Sequence, residues 1–148
     1  MICQLRDWSM PKLPFKILGI EHVGIAVESL DGLFNIFSDI LGLEFIVSEE
    51  VKDQQVITDI YDTGAGKLEF LKETDKNSPI GDFIDKKGAG IHHIALTVDN
   101  IQSALVYLKD KGVHVIDEKP RIGAEGLSIS FLHPKSTCGI LVELCEKK

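Results

Sequence analysis

Two stretches of the chain, "GIEHVGIAV" (Gly19 to Val27) and "GIHHIALTV" (Gly90 to Val98), carry apolar residues at every second position and read as β-strands. Behind each, the period changes. Leu33, Phe34, Ile36, Phe37, Ile40 and Leu41 recur at helical spacing after the first, and Ala104, Leu105, Tyr107 and Leu108 after the second. Ser29 and Asn100 stand where an N-cap belongs, and Gly42 and Gly112 where a left-handed C-cap belongs. Three strand-like stretches then follow each helix. They are "EFIVSEE", "QQVITDIYD" and "GKLEFLKE" in the first half, "HVIDEKP", "LSISFLH" and "GILVELCE" in the second. Gly64, Gly66, Gly123, Gly126, Pro134 and Gly139 mark the turns.

Each half therefore reads strand, helix, strand, strand, strand, and the halves align. "IEHVGIAVESL" lies on "IHHIALTVDNI", with His22 on His93 and Ser29 on Asn100. The expected fold is α+β: two tandem βαβββ modules paired about a pseudo-twofold axis, with a cavity lined by equivalent positions of both. The expected boundaries are an irregular leader over 1–16 and one domain over 17–148. That domain comprises a first module of about 17–74, a linker of about 75–90 and a second module of about 91–148. Ile80, Phe83 and Ile84 give the polar linker enough apolar character for at least one helical turn.

Composition narrows the class. At 148 residues and 44% hydrophobic the chain can bury a core. A net charge of −7 disfavours nucleic acid and acidic membranes as partners, yet leaves room for a local basic pocket. Cys3, Cys138 and Cys145 are odd in number and form no CxxC, so the thiols are expected to be free and the protein intracellular. No apolar run approaches a membrane span, and "MICQLRDWSMPKLPFK" lacks a signal-peptide core, which points to the cytoplasm. Met10 is an alternative start.

Strand parity separates the two adjacent histidines. His22, Gly24 and Ala26 share one face of the first strand, and His93, Ala95 and Thr97 share the matching face of the other. Small residues beside a histidine leave space for a ligand. His92 falls with Ile94, Leu96 and Val98 and reads as a packed histidine with a local hydrogen bond. Glu69 and Glu143 sit mid-strand, opposite in parity to Leu68 and Phe70 and to Ile140, Val142 and Leu144. A buried carboxylate needs compensation. Forty-seven residues separate His22 from Glu69, and fifty separate His93 from Glu143. Two imidazoles and two carboxylates facing one cavity suit one divalent ion per chain, such as zinc, cobalt, nickel or manganese, with positions left over for water or substrate. Such a metal would act as a Lewis acid on a carbonyl and stabilise an enolate. His114 reads as a surface residue and His133 as a turn residue.

The pattern resembles the vicinal oxygen chelate (glyoxalase/bleomycin-resistance) superfamily, and within it the methylmalonyl-CoA epimerase family. The stretches that carry this are "IEHVGIAVESL", "GKLEFLKETDKNSPIGDFIDKKGAGIHHIALTVDNI", "DEKPRIGAEG" and "FLHPKSTCGILVELCE". The resemblance implies metal ligation by His22, Glu69, His93 and Glu143, with Glu143 also an acid/base group. It implies proton exchange alpha to the thioester of an acyl-CoA substrate. Some epimerases carry glutamine where Glu69 stands. A second acid/base residue, a glutamate on the second strand of some epimerases, aligns here with Thr58, beside Asp59. A glyoxalase I-like lactoylglutathione lyase is the alternative enzyme, disfavoured by "HPKS" where an aspartate-proline turn is more usual. A metal-free binding protein of the same fold is disfavoured by the complete ligand set. A homodimer is left open. Lys119, Arg121 and Lys135, beside glycine-rich turns, are the cations expected to hold the anionic ends of the substrate.

Overall fold

The structure is a computed structural model and describes residues 12–148. Cys3, Met10 and most of the expected leader lie outside the described residues. Among the described residues eight strands form one sheet: β1 (Ile17–Ala26), β2 (Glu44–Val51), β3 (Val56–Asp62), β4 (Lys67–Glu73), β5 (Gly90–Val98), β6 (Arg121–Ile122), β7 (Ser128–Leu132) and β8 (Val142–Glu146). Their order is β2-β3-β4-β1-β5-β8-β7-β6. β1 runs parallel to β4, and β5 runs parallel to β8. The two halves meet where β1 and β5 pair antiparallel. The sheet is thus symmetric about that seam, and both histidine strands are central.

The second helix, α2 (Ile101–Asp110), forms as expected. The Asn100 side chain accepts from the Ser103 N–H at 2.8 Å. Ile101, Ala104 and Leu105 bury against Phe15, Val98, Leu132 and Leu144. Its first-half counterpart differs. Residues Asn35–Ile40 form a π-helical segment, and the Leu41 N–H donates to the Ile36 carbonyl at 3.0 Å. Ser29 does not cap it. Its hydroxyl accepts instead from Asp31 two residues on, and Gly32 at φ +81° separates that turn from the helix. With no side-chain cap the segment is short and shallow. Phe37 packs on Phe70 at 4.6 Å, while Phe34 and Ile40 stay half or more exposed.

The other departure is "HVIDEKP". Only Val115 bridges to Leu132, because the Asp117 carboxylate takes the Phe131 N–H at 3.2 Å and Pro120 has no N–H to donate. The strand paired with β7 is β6, just beyond the proline. Within the expected linker, Ser78 caps α1 (Pro79–Lys87), whose Ile80 buries against Ala26, Val56 and Leu71. Among the described residues no helix is long and apolar enough to cross a membrane.

Candidate metal centre

The four side chains singled out above come from β1, β4, β5 and β8, the four central strands of the sheet. Each is about 95% buried. His22 Nε2 lies 3.0 Å from His93 Nε2 and 2.9 Å from Glu69 Oε2. Glu143 reaches His93 Nε2 at 3.5 Å and His22 Nε2 at 3.9 Å. Ligand atoms of His22, His93 and Glu143 all lie within 4.8 Å of one another. Glu69 stands beside this trio against His22, with its other oxygen accepting from the Thr58 hydroxyl at 3.1 Å.

Gly24 explains how His93 fits. A Cβ at Gly24 would lie 2.1 Å from His93 Cε1 and 2.4 Å from Nδ1. The room left by the small-residue face is therefore filled by the imidazole itself. Ala26 and Ala95 are fully buried on the same face, whereas Val23 and Ile25 are only half-buried.

His92 departs from simple parity. The β1–β5 register slips between Gly24 and Ile25, leaving His92 as an extra, bulged residue. Its ring packs edge-on to Phe83 at 4.9 Å, and its Nδ1 lies 2.9 Å from His93 Nδ1. So it is a packed histidine with a local hydrogen bond, but beside His93 and not across the sheet from it.

Glu21 escaped the sequence reading. It too is a bulged residue, left out of the register between Ile20 and His22. It is 5% exposed and meets His22 Nδ1 at 2.5 Å. Its other oxygen pairs with Lys67 at 3.2 Å, and Lys67 in turn pairs with Glu125. The available signal was a charged residue next to a histidine inside an apolar strand.

The electrostatics favour a cation. Burial alone would lower the pKa of His22. Hydrogen bonds that His22 donates to Glu21 and Glu69, with the charges of Glu69 and Glu143, overcome it and raise the value to about 10. Burial also opposes ionisation of Glu21, yet its bonds to His22 and the charges of His22 and Lys67 lower it to about 2. Burial, aided by the charge of Glu69, raises Glu143 to about 7 against the pull of His22. Burial, then the positive charge of His22, drives His93 well below the usual histidine range. Two carboxylates, Glu69 and Glu143, thus lie at His22 Nε2 and a third, Glu21, at its Nδ1, and His22 takes a proton between them. Two Nε2 atoms and the carboxylate oxygens beside them fit a divalent metal in place of the proton.

A cavity of about 200 Å³ opens beside His93, lined also by His92, Asp53, Gln54, Ile80, Arg121, Phe131 and Leu141. Of the expected cations, only Arg121 lines it. Its guanidinium lies over the Phe131 ring at 5.8 Å, and its Nε lies 3.3 Å from Asp117. Lys119 and Lys135 are exposed elsewhere. Thr58 is fully buried against Glu69. Asp59, its neighbour in the strand, acts on Tyr61, which it shares a face with. Thr58 lies opposite Leu71, on the cavity face but behind its wall, Asp59 lies opposite Phe70 on the other face, and Asp53 is the carboxylate residue among those lining the cavity. His114 and His133 pack together at 5.1 Å, and His133 Nδ1 caps the turn at Lys135. Cys138 and Cys145 are free thiols. Cys145 is buried and donates to Glu143 at 3.2 Å.

A mixed sheet of paired modules with two histidines and two glutamates on its central strands defines a class. Residues 21–131 match the Glyoxalase/Bleomycin resistance protein/Dioxygenase superfamily, and the chain belongs to it. Its relatives place it more narrowly, among the methylmalonyl-CoA epimerases. It is 37% identical to the mitochondrial methylmalonyl-CoA epimerase of Homo sapiens over 126 residues, covering 84% of this chain and 72% of that one. Among solved structures, the Mycobacterium tuberculosis epimerase superposes with a TM-score of 0.87 at 30% identity, over 94% of this chain and 93% of the other. A variant of the Streptomyces coelicolor epimerase in complex with 2-nitronate-propionyl-CoA gives 0.83 at 33% identity, over 89% and 96%.

Proposed function

We propose that this chain interconverts the C2 epimers of methylmalonyl-CoA by proton exchange alpha to the thioester. The observation that carries the reading is the convergence of His22, His93 and Glu143, with His93 in the wall of the cavity, in a chain whose relatives are epimerases. We assign His22, Glu69, His93 and Glu143 as ligands of one divalent ion. When bound, that ion supplies Lewis-acid stabilisation of the negative charge that develops when C2 loses its proton. Zinc, cobalt, nickel and manganese all suit the donors.

The chain's own residues do the rest. Glu143 is the group that takes and returns a proton on one face of C2. Without the ion, burial raises its pKa to about 7; a divalent cation beside it would favour the carboxylate, the form that takes the C2 proton. Glu69 is held by both oxygens, one at His22 and one at Thr58, and serves as a fixed ligand. Arg121, in the cavity wall, suits the substrate carboxylate. Asp53, from the first half, is the candidate for the second face. The apolar walls of Ile80, Phe131 and Leu141 exclude water from the carbanion. We read the chain as acting on a small acyl-CoA, in the cytoplasm, with a homodimer left open.

The test is incubation of single-epimer methylmalonyl-CoA with metal-loaded protein, followed by chiral analysis. The expected result is an approach to equal epimers. An unchanged epimer, with turnover of the glutathione–methylglyoxal hemithioacetal instead, would assign the site to a lyase.

A further inference from the structure

The β1–β5 seam carries bulges at two positions that the internal repeat makes equivalent. Glu21 is the extra residue before His22, and His92 is the extra residue before His93. Ordinary alternation would put each on the face opposite its histidine. The bulge turns each back, so that both bulged side chains end at the outer ring nitrogen of a histidine. Glu21 Oε2 meets His22 Nδ1 at 2.5 Å, and His92 Nδ1 meets His93 Nδ1 at 2.9 Å. The Nε2 atoms of the same two histidines converge at 3.0 Å on the other side.

We propose that Glu21 and His92 are paired positioning residues, each accepting the Nδ1 proton of its histidine so that Nε2 is left free to bind the metal. The inference rests on reading His22 and His93 as ligands. A neutral imidazole has one N–H and one lone pair, so an acceptor fixed at Nδ1 selects the tautomer with its lone pair on Nε2. His92 completes the same arrangement only if its own proton sits on Nε2. The two acceptors differ in kind. Glu21 is anionic and is held from behind by Lys67, itself paired with Glu125. His92 is held by Phe83 and lines the substrate cavity. The symmetric fold thus gives unlike support to its two histidines. His22 has a charged acceptor away from the cavity, and His93 has a neutral one within reach of substrate.

Zinc affinity, measured on the full chain by competition with a chromophoric chelator, tests this. Removing an acceptor of this kind weakens metal binding about ten- to hundredfold. Glu21→Leu and His92→Leu, which leave no acceptor, are expected to fall in that range. His92→Asn places its amide oxygen near the position of Nδ1 and is expected to restore the affinity. Melting curves of the metal-free variants confirm that each is folded. In ¹⁵N-histidine spectra of the zinc form, His92→Leu should shift the Nδ1–H signal of His93 and leave that of His22 in place, with the converse for Glu21→Leu. Affinities within twofold of the parent for both Glu21→Leu and His92→Leu, while His22→Ala loses zinc, would overturn the proposal and leave the ligand assignment standing. Zinc binding unchanged in His22→Ala would overturn the ligand assignment itself.

Discussion

Gly24 has no side chain where His93 needs the room. An alanine there would set its Cβ 2.1 Å from the imidazole, and a strand backbone paired on both sides cannot retreat. Gly24→Ala is expected to cost about 1–3 kcal/mol in stability, as overpacking does. It should also reduce bound metal at least tenfold, read by elemental analysis; full metal content would contradict the packing argument. The titrating groups give a second prediction. In metal-free protein, His22 at about 10 instead of 6.5 stabilises the fold at neutral pH, and that contribution is lost as pH rises through about 10. Glu143 at about 7 instead of 4.5 acts in the same direction at lower pH, its contribution being lost as pH rises through about 7. Glu21 at about 2 contributes the opposite dependence, but only in acid. With chelator present, the melting temperature should therefore fall from pH 7 to pH 10. A flat or rising profile would contradict the charge arrangement.

Alternation and the internal repeat both favour His93 over His92, and the structure sets the His93 imidazole beside that of His22. Neither pattern could show that His92 swings back, since a bulge is decided by register with a partner strand distant in the chain. The same holds for Glu21. Helix signals behaved similarly. Asn100 and Ser29 are equivalent in the repeat, but only Asn100 caps a helix, because Gly32 breaks the chain between Ser29 and Leu33. Asn100→Ala is expected to cost about 1 kcal/mol by chemical denaturation. Ser29→Ala should lie within about 0.5 kcal/mol of the parent. Equal losses in both would mean that the first-half segment is capped after all. "HVIDEKP" had strand character in its apolar positions, but a proline and an aspartate that bonds the neighbouring backbone displaced the pairing to β6.

For the whole molecule, the internal repeat was the most legible feature, since equivalent residues must meet once two copies pair. Histidines from β1 and β5 and glutamates from β4 and β8 lie at the seam for that reason. The cavity wall was less legible, because it is built from turns and from the short β6, where no period operates. Lys119, Arg121 and Lys135 were indistinguishable as sequence, and only Arg121 reaches the cavity. In a chain of net charge −7, an anionic substrate depends on such a local cation. Arg121→Ala is therefore expected to raise KM for the acyl-CoA about tenfold or more with metal content unchanged, and Lys135→Ala to leave KM within twofold. Equal effects would move the anion site to the protein surface. The most direct test of the central claim is deuterium incorporation at C2 of methylmalonyl-CoA in D2O, followed by proton NMR, with metal content measured alongside. Metal-loaded parent protein should exchange the C2 proton, and Glu143→Gln should lose exchange by at least a hundredfold per bound metal. Undiminished exchange in Glu143→Gln, or none in the metal-loaded parent, would contradict the account.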